Sequence, residues 1–169
     1  MDSLLYSNGL SLVRFTADQV DDFVEDLSKE NIEEFKVIYD HEPGKAIASV
    51  ADQPGTYAVM RDGEVLAVTG IAFGSDSSVI WSLFSNKLRK HYARFVRASP
   101  ALMDFYHLDS DVLYCDIWSK HSRIAMWLMK IGFKPVAEKP HGDNTIVRFV
   151  RCKEEQPSGL EYNHRPVMH

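Results

Sequence analysis

The sequence predicts an α+β fold: a mixed, mainly antiparallel sheet of about seven strands with helices on both faces. Three observations predict it. First, Val112–Val136 reads V-L-Y-C-D-I-W, then S-K-H-S-R-I-A-M-W-L-M-K-I with a helical period, then G-F-K-P-V; a strand, a helix closed by Gly132 and a second strand follow one another. Second, Asp62-Gly63 lies between two β-rich runs and is the strongest short signal for a hairpin. Third, the order is strand, helices, three strands, helix, strand, helix, two strands, so pairing is antiparallel except where the long helix crosses over.

Each element has its own signal. Leu10–Phe15 is an apolar run and the first expected strand. Thr16 is a good N-cap for the next helix; Asp18, Asp21 and Asp22 sit at its positive end, and Val20, Phe23, Val24 and Leu27 form its inner stripe. A second helix is expected from Ile32 to Tyr39 with Phe35 and Ile38 inward, and Pro43 opens a third through Val50. Asp52–Gly55 is a turn. Strands Thr56–Arg61 and Glu64–Phe73 flank the hairpin, and Gly70 marks a bulge or a close approach of backbone. After the polar turn Gly74–Ser78 comes the strand Val79–Phe84. A long helix begins near Asn86 and is expected to break before Pro100, with a shorter helix at Ala101–Leu108. Strand Val112–Trp118, helix His121–Ile131, strand Phe133–Glu138, turn His141–Asn144 and strand Thr145–Cys152 complete the order. Residues 1–152 read as a single domain, and 153–169 as a polar tail placed to dock on a partner.

Composition bounds the function. With 169 residues, 45% apolar and 25% charged, the chain is an ordinary globular protein. A net charge of −5 argues against a surface coated for nucleic acid. No run of about 18 apolar residues spans a bilayer, and M-D-S-L-L-Y-S-N-G lacks the basic and apolar parts of a signal peptide. Cys115 and Cys152 lie in strand-like runs and read as reduced thiols, which implies an intracellular setting. None of the seven histidines falls in a zinc spacing, so no metal is expected.

One surface feature stands out. Lys87, Lys90, His91, Arg94 and Arg97 recur at steps of three and four on the long helix, while Leu88, Tyr92, Phe95 and Val96 face the other way. The stripe reads either as the solvated face of an amphipathic helix or as an anion site for phosphate, nucleic acid or an acidic partner. Binding of DNA by it would be weak and salt-sensitive. Asp116 alternates away from Cys115 and Ile117, to line a groove or to pair with a strand neighbour.

The run His121-Ser122-Arg123-Ile124-Ala125-Met126-Trp127-Leu128-Met129-Lys130-Ile131-Gly132-Phe133 resembles the closing helix of the GNAT N-acetyltransferases, with Lys-Ile-Gly-Phe matching best. The resemblance covers about Leu10 to Cys152 and implies a GNAT-like sheet splayed between its fourth and fifth strands, near Tyr92, Trp118 and Trp127. It also implies that Glu33, Glu34, Asp40 and Glu42 surround the acceptor side. They read there as a solvated acidic face or as the source of a catalytic base with a raised pKa. Two departures matter. Leu128 stands where the family's frequent general acid, Tyr, would be. The segment Ser85–Ala93 contains no glycine, where the family's Gly-rich loop cradles the pyrophosphate of acetyl-CoA.

A narrower resemblance links A-R-F-V-R-A-S and the W-L-M-K-I-G-F helix to GNAT-like internal virion proteins of short-tailed phages. The first expectation is therefore a non-enzymatic protein of the virion interior or host cytoplasm. It would bind no cofactor and act through contacts with phage virion or host proteins. The alternative is an acetyl-CoA-dependent N-acetyltransferase in which Leu83, Phe84 and Ser85 hold the pantetheine arm and Lys87, Arg89 and Lys90 replace glycine N–H groups at the phosphates. A third is a phage-encoded binder of a host protein. No catalytic residue is assigned.

Overall fold

The computed structural model of the chain describes residues 3–153. One sheet of eight strands runs through them: β1 (Leu5–Ser7), β2 (Leu10–Arg14), β3 (Thr56–Arg61), β4 (Glu64–Ala72), β5 (Ser78–Phe84), β6 (Val112–Trp118), β7 (Lys134–His141) and β8 (Asn144–Cys152). Their spatial order is β1-β2-β3-β4-β5-β6-β8-β7, and all neighbours pair antiparallel except β5 with β6. This is the expected α+β class with one strand more. The extra strand, β1, is turned back on β2 by Asn8-Gly9, both at positive φ (54° and 79°) as a tight hairpin requires.

Helices cover both faces. The first element after Thr16 is a 3₁₀ turn (Ala17–Gln19) that runs into α1 (Val20–Glu25), with the Gln19 side-chain oxygen accepting the Thr16 backbone N–H at 3.0 Å. Next come α2 (Lys29–Glu34), a π-helical turn (Phe35–Tyr39) and α3 (Pro43–Val50). A 3₁₀ segment (Asn86–His91) leads into α4 (Tyr92–Tyr106), and α5 (Ser122–Lys130) follows β6. One apolar cluster packs Phe95, Leu102, Met103, Tyr106, Trp127 and Leu128 from α4 and α5 against Leu10, Leu12, Ala67, Leu113 and Phe149. The other packs Phe23 and Ile47 from α1 and α3 against Val13, Phe15, Ala58 and Val68.

Two local expectations change. Pro100 does not break the helix: α4 runs through it. Proline inside a helix costs about 3 kcal/mol. Burial of Leu102, Met103 and Tyr106 just beyond it offsets that, at about 1.5–3 kcal/mol for each apolar side chain. Ser99 also fastens this turn, donating to the Phe95 carbonyl at 2.6 Å and accepting the Trp127 indole N–H at 2.9 Å. At Gly70 a close approach is realised: a Cβ there would lie 2.3 Å from the Trp81 ring. The bulge sits instead at Leu66, where the β3–β4 register shifts.

Candidate active site

The site is an opening in the sheet. β5 and β6 pair only at Ser78↔Leu113 and Val79↔Tyr114, then diverge. The far end of the vacated β5 edge is taken by the α1–α2 turn, where Ser28 N–H donates to the Phe84 carbonyl at 2.8 Å. The buried Asn31 side chain accepts the Phe84 N–H, also at 2.8 Å. Backbone groups alternate sides along an antiparallel strand. Ser85 N–H points to β4, where Leu66 O accepts it, and Phe84 N–H points the other way. Ser82 therefore turns its N–H and C=O into the opening.

Two cavities meet there. The first, about 330 Å³, draws its walls from α2, α3, β5, β6 and α5, so it passes through the sheet from one helical layer to the other. The second, about 930 Å³, lies between the head of α4 and the β6–α5 turn. Asn31, Phe84, Ile124 and Trp127 line both.

Glu34 is the reactive group of the first cavity. Burial raises its carboxyl from 4.5 to about 7, against a lowering hydrogen bond from the Asn31 side chain. Its Oε2 lies 3.3 Å from His121 Nδ1, a buried ring nitrogen that makes no hydrogen bond. The ring also bonds the Glu30 backbone, and burial holds its pKa below the ordinary value despite Glu30 and Glu33 nearby. A neutral imidazole with a bare Nδ1 faces a carboxyl of pKa about 7, and the order of the two shifts keeps the shared proton on Glu34. The other lining groups are less available. Asp116 is held below its usual range by Arg148, which grips it at 2.8 and 2.9 Å across β6–β8. The Cys115 thiol is pushed up to about 12 by burial, so it is no thiolate nucleophile. Tyr39 is likewise pushed up to about 12, by burial first and then by Glu34 and Asp116, and keeps its proton.

The residues expected from sequence distribute as follows. Leu83 lines the first cavity, Phe84 both, and Ser85 the second. Arg89 lines the second cavity, and Lys87 and Lys90 line neither of the two. The stripe Lys87, Lys90, His91, Arg94, Arg97 is split, because its first three residues lie in the 3₁₀ segment and its last two in α4, with different turns per residue. Arg94 reaches back to the Asn8 carbonyl at 3.3 Å. Of the four candidate carboxylates, Glu34 alone lines the first cavity. Asp116 both lines the groove and pairs with its strand neighbour. Sequence reasoning missed Lys120 and Arg123, which face Arg89 across the second cavity from the β6–α5 turn. It also missed the pairing of Glu34 with His121. The tail beyond Lys153 lies outside the described residues.

No protein-family model matches the sequence, and no curated protein matches it. Solved structures do. The chain is similar to a GNAT-family acetyltransferase from Bacillus anthracis, at 17% identity and TM-score 0.69 over 89% of this chain and 99% of that one. It is similar to AAC(6′)-Ib in complex with paromomycin and acetyl-CoA, at 16% identity and TM-score 0.67 over 87% and 95%. It is also similar to the ribosomal-protein-S18-alanine N-acetyltransferase of Escherichia coli, at 7% identity and TM-score 0.63 over 85% and 93%. The chain has the GNAT acetyltransferase fold.

These likenesses correct two expectations. The non-enzymatic virion protein and the absence of a cofactor do not stand: the similar structures are of acetyltransferases, one of them solved with acetyl-CoA and also with coenzyme A. The physical reason is that the missing glycines remove one phosphate cradle without closing the sheet. Five consecutive backbone N–H groups at that cradle are indeed already bonded within the chain, from Phe84 to Asn31 Oδ1, Ser85 to Leu66 O, Asn86 to Asp26 O, Lys87 to Ser85 Oγ and Leu88 to Ser85 O. The second cavity nevertheless offers Arg89, Lys120 and Arg123, and its 930 Å³ admits a ligand of coenzyme size. Among the described residues no helix is long and apolar enough to cross a membrane, and no group of three or more His, Cys, Asp or Glu stands ready for a metal ion.

Proposed function

We propose that the chain is an acetyl-CoA-dependent N-acyltransferase. The observation that carries this reading is the opening between β5 and β6, where a cation-rimmed cavity and a carboxylate-bearing cavity share Asn31, Phe84, Ile124 and Trp127 as walls. Acetyl-CoA, when bound, supplies an acyl group activated as a thioester. Arg89, Lys120 and Arg123 would hold its phosphates, and the Ser82 carbonyl would accept from its arm, leaving the Ser82 N–H for the thioester oxygen.

The chain's own residues do the rest. Glu34 takes the proton from an entering ammonium, and a carboxyl near pH 7 is well matched to that task. His121 Nδ1, 3.3 Å away, stands as an acceptor beside the protonated carboxyl, which returns its proton to solvent. The freed amine attacks the carbonyl carbon, so a C–N bond forms as the C–S bond breaks. The charge that develops on the carbonyl oxygen faces the Ser82 N–H. The proton shed by the attacking nitrogen would pass to the departing thiolate, whose ordinary pKa is about 8.5, so no acid is needed at the Leu128 position.

Calorimetry with acetyl-CoA tests the reading. Saturable binding that weakens steeply with salt is expected, because side-chain cations rather than backbone dipoles hold the phosphates. Absence of binding at low salt overturns it.

A further inference from the structure

We infer that the acceptor is an apolar molecule bearing a single amine, and that polycationic amines are rejected. The inference rests on the acyl-transfer reading for the amine's role, and on the first cavity for its chemistry.

Two carboxylates line that cavity, Glu34 and Asp116. Asp116 is spent: Arg148 holds both its oxygens at 2.8 and 2.9 Å, and the guanidinium lies over the Tyr114 ring, 4.5 Å from its centroid. One carboxylate is left to meet one ammonium. Phe35, Ile47, Val50, Ile80 and Leu83 make the surrounding wall apolar. A molecule with two or three positive charges would strand all but one of them there, and a buried unpaired charge costs several kcal/mol. The π-helical turn fixes the shape of this wall, setting the Phe35 and Tyr39 rings 5.6 Å apart at one end. About 330 Å³ is the lower end of the range for small-molecule pockets, enough for an arylalkyl or alkyl amine.

The test is calorimetry on the full chain with phenethylamine, spermidine and the uncharged 2-phenylethanol at pH 8, where Glu34 is ionised. Phenethylamine is expected to bind at least about tenfold more tightly than either of the others. Glu34→Gln is expected to bring phenethylamine down to the level of 2-phenylethanol. Val50→Glu, which adds a second carboxylate at the end of α3, is expected to narrow the preference over spermidine by about tenfold. Spermidine binding as tightly as phenethylamine to the unaltered chain overturns the inference, whether or not the variants fold. Failure of acetyl-CoA to bind in a separate titration overturns acyl transfer alone, because the amines are read without it.

Discussion

Asn31 accepts the Phe84 backbone N–H at 2.8 Å and bonds Glu34 with the same carboxamide. One buried side chain thus fixes both the free strand edge and the carboxylate across the opening.

Asn31→Ala leaves the Phe84 N–H without its partner. A loss of about 1–3 kcal/mol is expected from an unsatisfied buried donor, with a melting midpoint about 2–10 °C lower. Thermal unfolding measures it. The lowering bond on Glu34 also disappears, so the pH at which Glu34 ionises is expected to move upward.

The same carboxyl, acting as the proposed base, would set the pH profile of acyl transfer. A base must be ionised to accept a proton, so kcat/KM with phenethylamine is expected to rise with pH through about 7. Glu34→Gln is expected to remove that limb and lower the rate by about 10²-fold or more. A wild-type profile flat between pH 5 and 8 contradicts the assignment.

Folding stability carries the opposite sign. Glu34 ionises at 4.5 in the open chain and at about 7 when folded, so the folded state holds the proton more tightly. Stability from this group is full below 4.5 and falls as pH rises to about 7, by roughly 3 kcal/mol at the limit. Urea unfolding of wild type and Glu34→Gln at pH 5 and pH 8 checks it: the variant is expected to gain relative to wild type at the higher pH.

The proposed phosphate side can be tested apart from the arm. Arg89→Ala with Arg123→Ala is expected to weaken acetyl-CoA by tenfold or more and to leave S-acetylpantetheine, which lacks the phosphates, unchanged. Equal loss for both ligands in calorimetry contradicts a side-chain phosphate site.

Much of the fold was legible because its signals are local. Asp62-Gly63 forms its hairpin with both residues at positive φ, Thr16 caps its helix and Gly132 closes α5. Asn8-Gly9 carried the same kind of signal for β1 and was passed over because the L-Y-S run before it is so short. Pro100 misled because a local preference was outweighed by tertiary burial of the turn beyond it.

The site was legible in part. Glu34 stood among four carboxylates, but nothing in E-E-F distinguishes it from Glu33; burial under α3 and against β5 does. Arg89 was named, while Lys120 and Arg123 meet it only because the crossover brings the β6–α5 turn to the head of α4. The glycine-free segment was read as unable to wrap a diphosphate, and the absence of a cofactor inferred from it does not stand against similar structures solved with acetyl-CoA and coenzyme A. Lys120 and Arg123, which line the same cavity as Arg89, come from a distant part of the chain.

The most direct measurement is mass spectrometry of phenethylamine incubated with acetyl-CoA and the purified chain, run beside release of coenzyme A thiol. The account predicts N-acetylphenethylamine in step with thiol for the wild type and its loss in Glu34→Gln. Thiol released with no acetylated amine, or product formed equally by both proteins, contradicts it.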